Sequence, residues 1–252
     1  MKALAIVQAR MGSTRLPAKV LADIGGLPIL QLLLYRLRAV SNIDEIVVAT
    51  TTNPEDDPLV EWLDKAGATY YRGSTIDVLG RFVEAAAGRN AEIIVRVTAD
   101  DPLKDPGITS QLINILKTNP DLDYASNTIE PTWPEGLDIE VMRHEALLRA
   151  HREANLKSDR EHVTTYIWNH PNLFNLYSLK WERNLSTWRW TVDNPADLQL
   201  IRRIYNRFRD NPIVDYREII TWIESHPELL EINSGIARNE GYLKSLEAER
   251  KR

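Results

Sequence analysis

The sequence has no cysteine among its 252 residues, which excludes disulfides and every chemistry that needs a thiolate. It has no apolar run near the roughly 20 residues that a membrane-spanning helix requires, and its first residues do not follow the plan of a secretory signal. Cytoplasmic residence without a membrane partner is the expectation. Short repeats and low-complexity tracts are absent, and 43% hydrophobic with 27% charged residues is ordinary for a globular protein. A surplus of positive charge is lacking as well. The formal net charge of -5 argues against a general nucleic-acid binder, whose affinity depends on an extended basic surface. A chain of this length buries a sizeable core, and we expect one domain over residues 1–232 followed by a charged tail over 233–252.

One absence is local. No carboxylate precedes Asp23, whereas Lys2, Arg10, Arg15 and Lys19 are all cationic. Three of these cations lie in "QARMGSTRLPAKVL", residues 8–21, directly after the apolar run 3–7. A strand running into a Gly-Ser-Thr turn aims backbone N–H groups at an anion while cationic side chains close over it. The stretch therefore points to a phosphate site, against the alternative of a surface loop with solvated charges. It is not a Walker A loop, because Lys19 lacks a Gly directly before it and is followed by Val20. The G-x-G-x-x-G fingerprint is missing too.

What is present is an alternation of strands and helices. Residues 3–7, 45–49 and 93–97 read as buried strands, and "GGLPIL" opens a helix whose apolar face includes Ile29, Leu33, Leu37 and Val40. Further helical spacing covers 58–66, 78–87 and 107–117, which implies a mainly parallel sheet covered on both faces. The pattern loosens at "DYASNTIEPTWPEGLDIEVM", read as an inserted hairpin or flap near 123–142. Helices over 145–154 and 159–168, strands over 174–179 and 188–192, and closing helices over 196–208 and 216–224 follow. From Asn239 the highly charged tail reads as a solvated helix or frayed end.

Two carboxylates share their surroundings. "EIIVRVTADDPL" and "WRWTVDNPADL" both read as strand, Asp, any residue, Pro, then helix, placing Asp100 and Asp193 in the pattern's carboxylate position. In an open α/β sheet ligands gather outside the carboxyl ends of strands. Two carboxylates beside a triphosphate suggest Mg²⁺, held by carboxylates together with phosphate oxygens and water. The plainer alternative makes each Asp the N-cap of the following helix. Asp101 is expected to be a cap or a supporting group.

Taken in order, "QARMGSTRLPAKVL", "VVATTTNPEDDPLV", "YYRGSTIDVLGRF", "VRVTADDPLKDP" and "RWTVDNPADL" resemble the cytidylyltransferases of the spore coat polysaccharide biosynthesis family. That family is related to the synthetases that activate 3-deoxy-octulosonate and acylneuraminate (sialic) acids with CTP. The resemblance implies a Rossmann-like nucleotidyltransferase fold of the α/β class and transfer of CMP to a sugar acid with release of pyrophosphate and use of Mg²⁺. It places the nucleotide against Gln8, Ala9, Arg10, Gly12, Ser13, Arg15, Lys19 and Arg72, with Arg10, Lys19 and Asp100 as catalytic groups and Asp100 and Asp193 as metal ligands. Asp77, Asp138, Arg160 and His162 fall where relatives carry acceptor contacts, and Arg160 is suited to gripping a sugar carboxylate bidentately. For Ser74 and Asp77 a turn with a helix cap is an equal alternative.

Ala99 stands where the family commonly has Gly, and Asp101 where it often has Cys or Glu, which touches the local acceptor contacts and leaves the metal carboxylate intact. His144, His151, His170 and His226 join no constellation. The rival readings are a nucleotidyltransferase acting on a sugar 1-phosphate, a metal-dependent glycosyltransferase using Asp100 and Asp101, and a nucleotide-sensing module. Relatives that activate sugar acids are commonly dimers, so a homodimer touching near Trp133 is a further expectation.

Overall fold

In a computed structural model that describes residues 1–250, the chain forms β1 (Ala3–Gln8), β2 (Glu45–Thr51), β3 (Tyr70–Gly73), β4 (Ile93–Thr98), β5 (Tyr124–Ser126), β6 (Glu140–Arg143) and β7 (Leu176–Ser178). They make one sheet in the order β3-β2-β1-β4-β6-β5-β7. The pairs β1 with β2, β1 with β4, β2 with β3 and β5 with β7 are parallel, and only β6 runs against its neighbours β4 and β5. The chain steps outward from β1 to β3 and then returns to lay β4 on the other side of β1. That reversal makes the carboxyl ends of β1 and β4 a topological switch point, where open α/β sheets bind ligands.

Alternation along β1 explains the two layers. Ala3, Ala5 and Val7 face one core, while Leu4 and Ile6 face the other. The first core is covered by α1 (Ile29–Arg38), α2 (Asp57–Lys65), α4 (Pro106–Thr118), α8 (Pro195–Arg207) and α9 (Tyr216–Glu224). The second is covered by α3 (Val78–Ala86), α5 (His144–Glu153), α6 (Lys157–His162) and α7 (Thr165–Asn169). With both faces covered, the central strands are mostly apolar, and β1 and β4 turn polar only toward their carboxyl ends, at Gln8, Arg96 and Thr98. The expected face of α1, namely Ile29, Leu33, Leu37 and Val40, is buried as the spacing requires.

Several expectations are corrected. Residues 188–192 form no strand; they run extended and meet the sheet region through a single bridge between Glu135 and Arg189. The close approach depends on Gly136, whose φ is +105° and where a Cβ would lie 2.6 Å from the Trp190 carbonyl carbon. The helix expected over 159–168 breaks into α6 and α7 at Val163, where φ is 67° and ψ is -55° and Thr164 N–H donates to the His162 carbonyl at 2.7 Å. This is a γ-turn of the strained hand on a buried β-branched residue. The hairpin region 123–142 contributes β5 and β6 to the sheet itself, and Trp133 is 3% exposed and stacks on Trp181, so it offers no free contact surface. The tail forms α10 (Glu240–Arg250), which packs against α6 instead of standing in solvent: Tyr242 meets the His162 and Trp168 rings edge-on, and Ser158 donates to Glu249.

Candidate active site

The opening loop leaves β1 at the switch point and folds back on itself, Ala18 N–H donating to the Met11 carbonyl at 3.0 Å. It is pinned from the side by Asp56, which accepts from Met11 N–H at 2.6 Å and from the Thr51 hydroxyl. Within this frame the N–H groups of Gly12, Ser13, Thr14 and Arg15 donate to no group among the described residues. Four successive donors without a protein partner, beside cationic side chains, are available to phosphate oxygens. A Cβ at Gly12 would lie 3.0 Å from the carboxylate of the exposed Glu55, which a small shift of that side chain relieves.

Lys19 reaches back to the strand ends. Its ammonium donates to Asp100 Oδ2 at 2.6 Å and to Asp193 Oδ1 at 2.7 Å, so the loop and two distant carboxylates meet at one point. Val192 N–H donates to the Asp100 carbonyl at 2.9 Å, which fixes the two segments side by side although only Asp100 follows a strand. Neither Asp caps a helix. Asp105 caps α4, and Asn194 caps α8 in a capping box with Asp197, so the N-cap alternative is overturned for both. Burial opposes the charge on Lys19, yet Asp100 and Asp193 outweigh it and hold its pKa above the ordinary value. For Asp100, burial raises the pKa and Lys19 more than reverses that.

Around this centre stand groups that sequence reasoning missed. Arg189, 5% exposed, joins Asp193 Oδ2 at 2.7 Å, Asp197 Oδ1 at 3.0 Å and Glu135 Oε2 at 2.6 Å. It fixes the Asp193 carboxylate from behind while Lys19 and Arg15 hold its other oxygen, Arg15 at 3.0 Å. Arg15 also pairs with Glu240 of α10. Asp101 supports: it accepts from the Thr98 hydroxyl and from the buried Lys104 ammonium, each at 2.7 Å. On the far side of the loop Arg10 is exposed and makes no hydrogen bond or ion pair among the described residues, close to the buried Arg81. Burial, and less strongly the Arg10 charge, draw Arg81 down to about 10, while Asp56 and Asp77 act the other way.

The remaining expected residues lie apart from this centre or are occupied. Arg72 donates to the carbonyls of Thr51 at 2.8 Å and Asn53 at 3.1 Å and pairs with Asp57, so it braces the loop after β2. Arg160 is engaged within the protein: its Nε and Nη2 close on both oxygens of Asp77, with Nε to Oδ1 at 2.9 Å, so an acceptor would have to displace Asp77 to use this fork. Asp77 also caps α3, accepting from Gly80 N–H at 2.9 Å, and Ser74 accepts from Asp77 N–H at 3.0 Å, which is the turn-and-cap alternative. Asp138 is paired with Arg238, and His162 meets the Ser245 hydroxyl at 3.0 Å through Nε2. A groove of about 330 Å³ near Leu34, Glu45 and Thr69 lies at the opposite ends of the strands.

Comparisons with known proteins bear on the family and the fold. The sequence model of a family described as Cytidylyltransferase matches residues 4–247. The spore coat polysaccharide biosynthesis protein SpsF of Bacillus subtilis is 34% identical over 89% of this chain and 95% of its own length. A 3-deoxy-manno-octulosonate cytidylyltransferase of Trichlorobacter lovleyi is 36% identical over 48% of each chain. Among solved structures, a cytidylyltransferase from Leptospira borgpetersenii serovar Hardjo-bovis superposes with a TM-score of 0.88 at 31% identity, covering 94% of this chain and 100% of that one.

Proposed function

The chain belongs to the cytidylyltransferase family, and on that premise we propose that it transfers CMP from CTP to a hydroxyl of a carboxylated sugar acceptor, serving the synthesis of a surface polysaccharide or glycan precursor. The acceptor oxygen attacks the α-phosphorus and gives up its proton, the new P–O bond forms, and the α–β phosphoanhydride bond breaks to release pyrophosphate. The observation that carries this reading is the nest of four unpaired N–H groups beside Lys19, Asp100 and Asp193. Such preorganised donors stabilise phosphate charge in the transition state.

The residues fit Mg²⁺. Asp100 and Asp193 turn hard oxygen atoms toward one point, and two carboxylates with phosphate oxygens and water suffice for that ion. No three His, Cys, Asp or Glu gather into a closed protein cage among the described residues, and a site completed by substrate phosphates needs none. When bound, the ion neutralises phosphate charge and acidifies a hydroxyl that it contacts. Lys19 then passes from the carboxylates to the triphosphate, and Arg15 and Arg10 close over the same anion. Arg189 keeps Asp193 aimed at the centre. Gln8 and Ala9 border the nucleotide, while Asp138 and His162 remain on the acceptor side.

Resemblance to the 3-deoxy-manno-octulosonate enzyme named above supports a sugar acid over a sugar 1-phosphate. The test is a screen of four nucleoside triphosphates against sugar acids and sugar 1-phosphates with Mg²⁺, following pyrophosphate and product mass. We expect CTP alone to be used at speed and the product to carry CMP through a single phosphate. A diphosphate-linked product, or faster turnover with UTP or GTP, refutes the reading. Among the described residues no helix is long and apolar enough to cross a membrane.

A further inference from the structure

The acceptor reading leaves a gap, because the guanidinium of Arg160 is closed on Asp77. Arg36, Arg160 and Arg189 each use all three side-chain nitrogens as donors. Arg96 differs. On β4, beside Ile6 in one register and Glu140 in the other, it donates only through Nη1, to Glu140. Its Nε is buried without a partner.

The surroundings of Arg96 combine apolar and polar groups. Arg96 lies on the sheet face that carries Leu4, Ile6, Ile94 and Met142 beneath α3, α5 and α7. Toward the carboxyl ends the same alternation brings Gln8, Arg96 and Thr98 to that face. Gln8 Oε1 is also buried without a partner. Glu140 is saturated, accepting the Tyr124 hydroxyl at 2.6 Å and the Thr164 hydroxyl as well as Arg96. Burial raises the Glu140 pKa, but Arg96 and these hydroxyls overcome it and keep the group ionised. It therefore fixes one corner of the guanidinium and leaves the Nε–Nη2 edge free, the same edge that Arg160 presents to Asp77. The Arg96 side chain keeps 14% exposure. It stands two residues before the end of β4 and Asp100 two residues beyond that end, so the guanidinium lies toward the carboxyl-end rim that carries Asp100.

We propose that Arg96 is the group that recognises the acceptor, gripping its carboxylate through the Nε–Nη2 edge, with Gln8 accepting from a neighbouring hydroxyl. This rests on the cytidylyltransferase reading with a carboxylated acceptor. A carboxylate matches the fork in geometry. The neighbouring His162 supplies no competing cation: burial, then Arg96, lowers its pKa.

The test uses 3-deoxy-manno-octulosonate and N-acetylneuraminate as probes, each beside its C1 carboxamide, with CTP and Mg²⁺. For the wild-type enzyme the acid should have a KM on the order of 10- to 100-fold below that of its amide, the range of a charge-assisted pair. Arg96→Lys should raise the acid KM by a similar factor, leave the CTP KM within about twofold, and bring the acid-to-amide ratio toward one. The paired variant Arg96→Gln with Glu140→Gln, which leaves no lone buried charge, should do the same if the single variant folds poorly. An acid-to-amide ratio unchanged in folded Arg96 variants overturns the assignment and leaves the sugar-acid reading standing. A wild-type enzyme that uses the amides or a neutral sugar as readily as the acids overturns both.

Discussion

Two parts of the same rim carry the same residue types and use them differently. Around Lys19, two carboxylates from distant parts of the chain share one ammonium beside four unpaired N–H groups. Around Asp77, one guanidinium closes on one carboxylate that also caps α3. The first arrangement has donors to spare and partners that phosphate can replace. The second is complete within the protein. Charge and sequence position do not separate a site from a staple; the number of donors left without a partner does.

The largest effect should come from the support of the first region. Arg189 is the shared cation of Glu135, Asp193 and Asp197, and Arg189→Met would leave three largely buried carboxylates facing one another. Breaking a buried pair of this kind costs about 3–5 kcal/mol, and urea unfolding should register a loss of that size. A loss under about 1 kcal/mol would mean that the three carboxylates are stable without their cation. Next comes Lys19→Ala, expected to lower kcat by roughly 10²–10³ with an unchanged circular dichroism spectrum. Turnover near the wild-type value would place Lys19 among the staples and dissolve the contrast between the two regions.

The contrast also explains which features were legible in the sequence. β1, β2 and β4 were, because strands buried on both faces must be continuous apolar runs. The reversal of β6 was not, because the composition of "EVMR" says nothing of strand direction, which is set by pairing with β4 and β5. The break at Val163 carries no Gly or Pro to announce it; the contact of Thr164 with Glu140 accompanies the turn, and that contact crosses 24 residues of sequence. Lys19, Asp100 and Asp193 could be found because a repeated Asp-x-Pro and a carboxylate-free basic loop are local patterns. Arg189 and Asp56 could not, since their importance lies in partners such as Glu135, 54 residues away, and the Met11 amide, 45 residues away. Arg160 shows the mirror case: its neighbours in sequence are acidic, but its partner is Asp77, 83 residues distant.

The smallest effect belongs to that staple and separates it from a binding site by pH. Asp77→Asn keeps an oxygen able to cap α3 and removes only the charge that faces Arg160. Burial raises the Asp77 pKa, but the hydrogen bond and charge of Arg160, with the Gly80 amide, bring it below the ordinary value. A carboxylate depressed in the folded state adds stability that is full above its unfolded pKa, about 3.9, and fades as pH falls through the folded value. Wild type should therefore exceed Asp77→Asn by about 1 kcal/mol or less at pH 7, as befits a partly exposed pair, and the gap should close below about pH 4, where the protonated Asp and the Asn are alike. Both proteins should share acceptor and CTP KM values. If instead Asp77→Asn raised the acceptor KM while its melting curve matched wild type at every pH, Asp77 would belong with Lys19 as a substrate contact, and its pairing with Arg160 would be one that the acceptor displaces.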